Sequence, residues 1–129
     1  MRPNEAILQK LIYYKIATIV DNKYTYSLEF KESVEYLRKN PPGRLKQARL
    51  AKEVDSKIVP ALVTYASSIK SKRKIENIII AYVCLKTHLA RLNIGIHSDE
   101  LPNIVYGTFY LNDNEPEVWE KEEEMDNGG

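Results

Sequence analysis

A chain of 129 residues with 43% hydrophobic and 29% charged residues has the size and composition of one globular domain, which excludes wholesale disorder. Its longest apolar run, Ile78 to Leu85, falls well short of the ~20 residues that cross a bilayer. The net charge of +1 conceals a separation: residues 1–74 carry 16 Lys/Arg against 7 Asp/Glu, and residues 75–129 carry 3 against 11.

Leu8, Leu11, Ile12 and Ile16 recur at helical spacing after Asn4, which can cap a helix over 4–16. Residues 16–28 read as a hairpin. Asp21 and Asn22 tolerate the left-handed backbone of a tight turn, and β-branched and aromatic residues flank them. The alternative is a first helix that runs on to Val20. Phe30, Val34 and Leu37 restore helical spacing over 29–39, and Asn40-Pro41-Pro42-Gly43 stops it, forming a joint at 40–43.

A helix over 44–54 follows, with Leu50, Ala51 and Val54 on one side. A second begins near Asp55-Ser56 with Pro60 close to its first turn, and buries Ile58, Leu62, Ala66 and Ile69. The longest covers 72–93. Ser71 is its N-cap, Gly95 its expected left-handed C-terminal cap, and Ile78 to Val83 make its first half apolar nearly all round, the mark of a central helix. Residues 103–111 alternate Val105, Phe109 and Leu111 against Ile104, Tyr106, Thr108 and Tyr110, which predicts a strand.

These elements predict a mainly α (α+β) fold, a helical bundle around central helix 72–93 with a small β element from hairpin 16–28 and strand 103–111. Residues 1–111 form a single domain. Residues 112–129, with eight acids and one base, form an acidic tail expected to be mobile.

Residues 38–74 hold 11 bases and two acids, Glu53 and Asp55. Lys46, Arg49 and Lys52 lie about 60° apart in helical projection, a geometry that follows a line of phosphates. Arg44 and Lys57 extend that stretch. Lys70, Lys72, Arg73 and Lys74 stand at the start of the long helix, where the dipole attracts anions. Val118 and Trp119 in the acidic tail have the character of an aromatic anchor for a protein partner.

Cys84 and His88 share a helix face, with His97 and Asp99 beyond it, but zinc sites ordinarily use cysteine pairs, and no metal or cofactor is expected. The single cysteine fits a reducing, cytoplasmic compartment. Glu5 and Gln9 break the stretch that a signal peptide would need. The segment Arg91-Leu-Asn-Ile-Gly-Ile-His97 resembles the Arg–His motif of HEPN-type ribonucleases. That resemblance implies phosphate stabilisation by Arg91 and proton transfer by His97, although Leu92 replaces the usual polar residue after the arginine. The hairpin followed by helix 29–39 resembles the wing of a winged-helix domain, but only one helix fits ahead of it.

No phosphate-binding glycine loop, nucleophile elbow or metalloprotease motif is present. The charge pattern therefore predicts a non-catalytic accessory or regulatory protein. It would bind DNA or RNA non-specifically through Arg44, Lys46, Arg49, Lys52, Lys57, Lys70, Lys72, Arg73 and Lys74, modulated by the acidic tail. A protein-interaction module or small structural subunit is the alternative, and a HEPN-like ribonuclease the second.

Overall fold

In the computed structural model, which describes residues 2–64 and 67–114, the chain opens with helix α1, Glu5–Tyr13. Asn4 caps it, its side chain accepting from the Ile7 amide at 2.9 Å. The helix does not run on to Val20. Lys15 takes a left-handed conformation (φ 60°), the Lys15 amide reaches the Ile12 carbonyl, and the Ile16 amide reaches the Leu11 carbonyl. This pair of bonds is a Schellman termination, which usually employs glycine. Lysine carries a left-handed penalty of about 1 kcal/mol there, so Lys15→Gly is expected to raise stability by about that amount, read as a higher Tm. An unchanged or lower Tm would contradict the assigned backbone.

Strands β1, Ala17–Val20, and β2, Lys23–Tyr26, form the expected antiparallel hairpin, in register Ala17 with Tyr26 through Val20 with Lys23. Asp21 and Asn22 both have positive φ, as a two-residue turn that matches strand twist requires. Helix α2, Leu28–Lys39, is capped by Ser27, which accepts from the Phe30 amide and donates to the Lys15 carbonyl. A single helix precedes the hairpin, so the helix order of a winged-helix domain is not present.

Helix α3, Arg44–Glu53, does not stop before Asp55-Ser56 as expected. It runs into a π-helical turn, Val54–Ile58, and then the short α4, Val59–Leu62. The cause is the four-residue spacing of the buried Leu50, Val54, Ile58 and Leu62. Steps of four drift by about 40° around an α-helix, and one widened turn brings the stripe back to a single side. Ile69 is also buried, whereas Ala66 lies outside the described residues.

Helix α5, Lys72–Arg91, is capped by Ser71, as expected. Its C-terminal cap is Asn93 (φ 55°) instead of Gly95, with the Ile94 amide bonded to the Leu89 carbonyl at 2.9 Å. Asparagine tolerates this conformation, and the termination comes two residues early.

The predicted strand 103–111 is a helix: α6 runs Leu101–Asn114 and takes in the first three residues assigned to the tail. Ile104, Val105, Tyr106, Thr108, Phe109 and Leu111 are all at most 4% exposed, so burial on nearly every side erases the polar period that marks a helix. Strand propensity reflects how a side chain packs, and tertiary surroundings override it. Pro102 sits in the first turn, where its missing amide hydrogen is tolerated. Gly107 lets α1 come close: a Cβ there would lie 3.0 Å from Leu11.

Among the described residues the result is mainly helical with one two-stranded sheet. α5 packs on α2, α3 and α6, and α6 also packs on α1, α4 and β2. A single core cluster joins residues on both sides of the 40–43 joint, from Phe30 and Val34 to Leu50 and Val54. Tyr26 stacks on Phe30 at 4.7 Å and donates its hydroxyl to the Thr108 carbonyl, locking hairpin to α6. Tyr14 donates to Glu100 at 2.8 Å, and burial with this bond pushes the Tyr14 pKa up to about 12. No helix among the described residues is long and apolar enough to cross a membrane.

Candidate nucleic-acid interface

The turn through Pro41-Pro42 directs α3 away from α2 and alongside α5. Only Leu50 of α3 is fully buried, so the helix is held by one apolar anchor and leaves its bases in solvent. Between the end of α2, α3 and the C-terminal half of α5 lies a groove of about 640 Å³. Leu37, Leu50 and Val83 supply its apolar surface, while Lys46 and Arg49 face it from α3 and Lys86 and Arg91 from α5.

The groove has one carboxylate, Glu53, which accepts from the Tyr82 hydroxyl at 2.7 Å. Burial first, and this bond second, push the Tyr82 pKa upward. Four cations against one engaged carboxylate give the groove a strongly positive field, which attracts phosphate.

Arg91 is fixed in place. Its guanidinium lies 5.3 Å over the ring of Tyr36, within the range of a cation–π contact. Its Nη1 donates to Ser33 Oγ at 2.8 Å. Behind Ser33 stands His88, wholly buried, with Nδ1 2.9 Å from Ser33 Oγ and Nε2 3.0 Å from the Tyr14 carbonyl. A carbonyl only accepts, so Nε2 carries the ring proton, and the single Ser33 hydroxyl hydrogen is shared between His88 Nδ1 and the Glu29 carbonyl at 3.1 Å. Burial is the main cause that lowers the His88 pKa, with the positive charge of Arg91 adding to it. The network orients one groove cation, Arg91, towards Ser33.

Of the nine bases expected to act together, only Lys46 and Arg49 line the groove. Arg44, Lys52 and Lys57 are exposed elsewhere on α3 and its π-helical extension. Lys70, Lys72, Arg73 and Lys74 stand at the opposite end of α5, with Lys72 about 20 Å along the helix from Lys86. The nine bases therefore do not share one groove. Apart from the half-buried Lys74, which has contacts of its own, these bases form no ion pair with another described residue.

Lys86 and Arg91 are the groove cations that charge counting missed. They lie in a segment whose net charge is negative, and only the packing of α3 on α5 brings them to Lys46 and Arg49. Val118 and Trp119 lie outside the described residues.

The other motifs are apart. Cys84 is buried as a free thiol, with its pKa pushed upward by burial, and both His88 nitrogens have protein partners. No group of three or more potential metal ligands occurs among the described residues. Exposed His97 pairs with Asp99 at 3.5 Å, while Arg91 points its bonded nitrogen to Ser33. Comparison with family models, curated proteins and solved structures finds no match.

Proposed function

We propose that this chain is a non-catalytic, cytoplasmic accessory protein that holds the phosphate backbone of nucleic acid in the α2–α3–α5 groove, without sequence preference. The observation that carries this reading is the convergence of Lys46, Arg49, Lys86 and Arg91 on one groove from two helices. The 70–74 cluster would form a second, separate contact with a longer strand. The single cysteine, unpaired within the chain, fits a reducing compartment.

Fluorescence anisotropy with labelled nucleic acid tests it. Four neutralised phosphates predict a slope of log K against log salt of about −3, from ~0.7 to 0.9 counterions released per contact. Binding that is indifferent to salt would end this reading.

A second reading, the protein-interaction module, is favoured by apolar residues left in solvent. Leu45 on α3 is 90% exposed and Leu28 on α2 is 69% exposed. Val118 and Trp119 would add an anchor from the tail. This reading predicts no nucleic-acid binding at physiological salt and a complex that survives nuclease.

A further inference from the structure

The geometry points to unpaired, single-stranded nucleic acid as the ligand of the α2–α3–α5 groove, with a base stacked on Tyr36 and its phosphates held by Lys46 and Arg49. This rests on the phosphate-binding reading and narrows it to one class of strand.

Three observations carry it. First, the cations face a concave groove and not the crest of a projecting helix. A duplex is read by an element that protrudes into its major groove, whereas Lys46 and Arg49 line a groove with Lys86 and Arg91 across it. Lys52, which follows them at the same three-residue spacing, does not line the groove.

Second, the surface between the cations is partly apolar, with Asn40, Glu53 and Thr87 beside the hydrophobic residues. Half-buried Leu37 and Val83 offer nothing to the phosphate exterior of a duplex, yet they suit the flat face of a base freed from pairing.

Third, Tyr36 combines exposure with order. It is 48% exposed and lines the groove, while the Arg91 guanidinium covers part of its ring at 5.3 Å. Arg91 itself donates to Ser33 at 2.8 Å. An aromatic ring held in place beside phosphate-binding cations is the arrangement that accepts single strands. Every base presents a π-face, so the selection is for strandedness and not for sequence.

The test compares three labelled probes by anisotropy on the full chain: a short oligodeoxythymidylate, the same strand with abasic sites, and a duplex of equal length. The thymidylate strand is expected to bind about tenfold more tightly than the abasic strand, the size of one stacked base, and more tightly than the duplex. Tyr36→Leu should bring the thymidylate and abasic strands to the same affinity, whereas Tyr36→Trp should keep the preference for bases. Because Tyr36 is half exposed, both variants should fold, which circular dichroism checks. Equal affinity for thymidylate and abasic strands, or tighter duplex binding, would overturn the single-strand assignment while the phosphate-binding reading stood. Absence of salt-sensitive binding to all three probes would overturn both.

Discussion

Replacing Lys46 and Arg49 together by glutamate is expected to weaken nucleic-acid binding by on the order of a hundredfold. Both side chains are exposed on a helix anchored by Leu50 alone, so the change leaves the core untouched. With Lys86, Arg91 and Glu53 unaltered, the groove passes from net positive to net negative, and phosphate would meet repulsion where it met attraction. Two controls give the prediction its meaning. Lys52→Glu alters the same helix away from the groove, and Lys72→Glu with Arg73→Glu makes the same charge change about 20 Å along α5 from Lys86. Each control should cost less than the groove variant for a short strand. If all three variants lose affinity equally, binding follows overall charge and the groove has no special part. Unchanged affinity in the groove variant would remove the proposed site altogether.

The second large effect concerns stability. His88→Ala is expected to destabilise the fold by about 3 kcal/mol, through the cavity it leaves and the buried groups it strands. The imidazole is wholly buried, packs edge-on against Phe30 at 5.3 Å, and joins Ser33 to the Tyr14 carbonyl. Its removal also frees Ser33, and with it the side chain that orients Arg91.

The same residue predicts a pH dependence. Burial holds the His88 pKa below its ordinary value of 6.5. As pH falls through 6.5 the unfolded chain takes up a proton that the folded chain refuses, so stability is complete above that pH and declines below it. Glu100, lowered first by its bond to Tyr14 and then by Lys10, keeps its contribution until pH falls below its ordinary 4.5. The window between 4.5 and 6.5 lies above the range in which Glu100 acts and below the ordinary value for His88. Denaturant titrations should show stability falling across that window in the wild type and a flatter profile in His88→Gln. Parallel profiles would assign the dependence to other groups.

Local signals were legible wherever one side of an element meets water. Asn4 and Ser71 cap the helices they were expected to cap, and Asp21-Asn22 forms the hairpin turn. The signals failed where burial removes contrast. α6 is enclosed on nearly every side, and its β-branched and aromatic residues suit a strand equally well when no polar face marks the period. Asp55-Ser56 looked like a helix start because capping residues favour such sites, but both are exposed on a helix whose continuity is set by Val54 and Ile58 beneath.

The site was half legible for a related reason. Lys46 and Arg49 announce themselves by local charge. Lys86, Arg91 and Tyr36 become their neighbours only through tertiary packing, across sequence separations that charge counting does not span.

The bonds from Tyr26 to Thr108, from Tyr14 to Glu100 and from His88 to Tyr14 have a temporal consequence. They join residues 82, 86 and 74 positions apart. At translation rates of about 5–20 residues per second, the hairpin leaves the ribosome roughly 4–16 s before the helix that receives its tyrosine. Throughout that interval Leu11 and Tyr26 lack the α6 partners that will cover them, and the ribbon's Ile19 and Val20 add further apolar surface. The earliest-made third of the molecule is thus the last to be sealed, and nascent chains stalled before α6 emerges should be its most protease-sensitive and chaperone-dependent form.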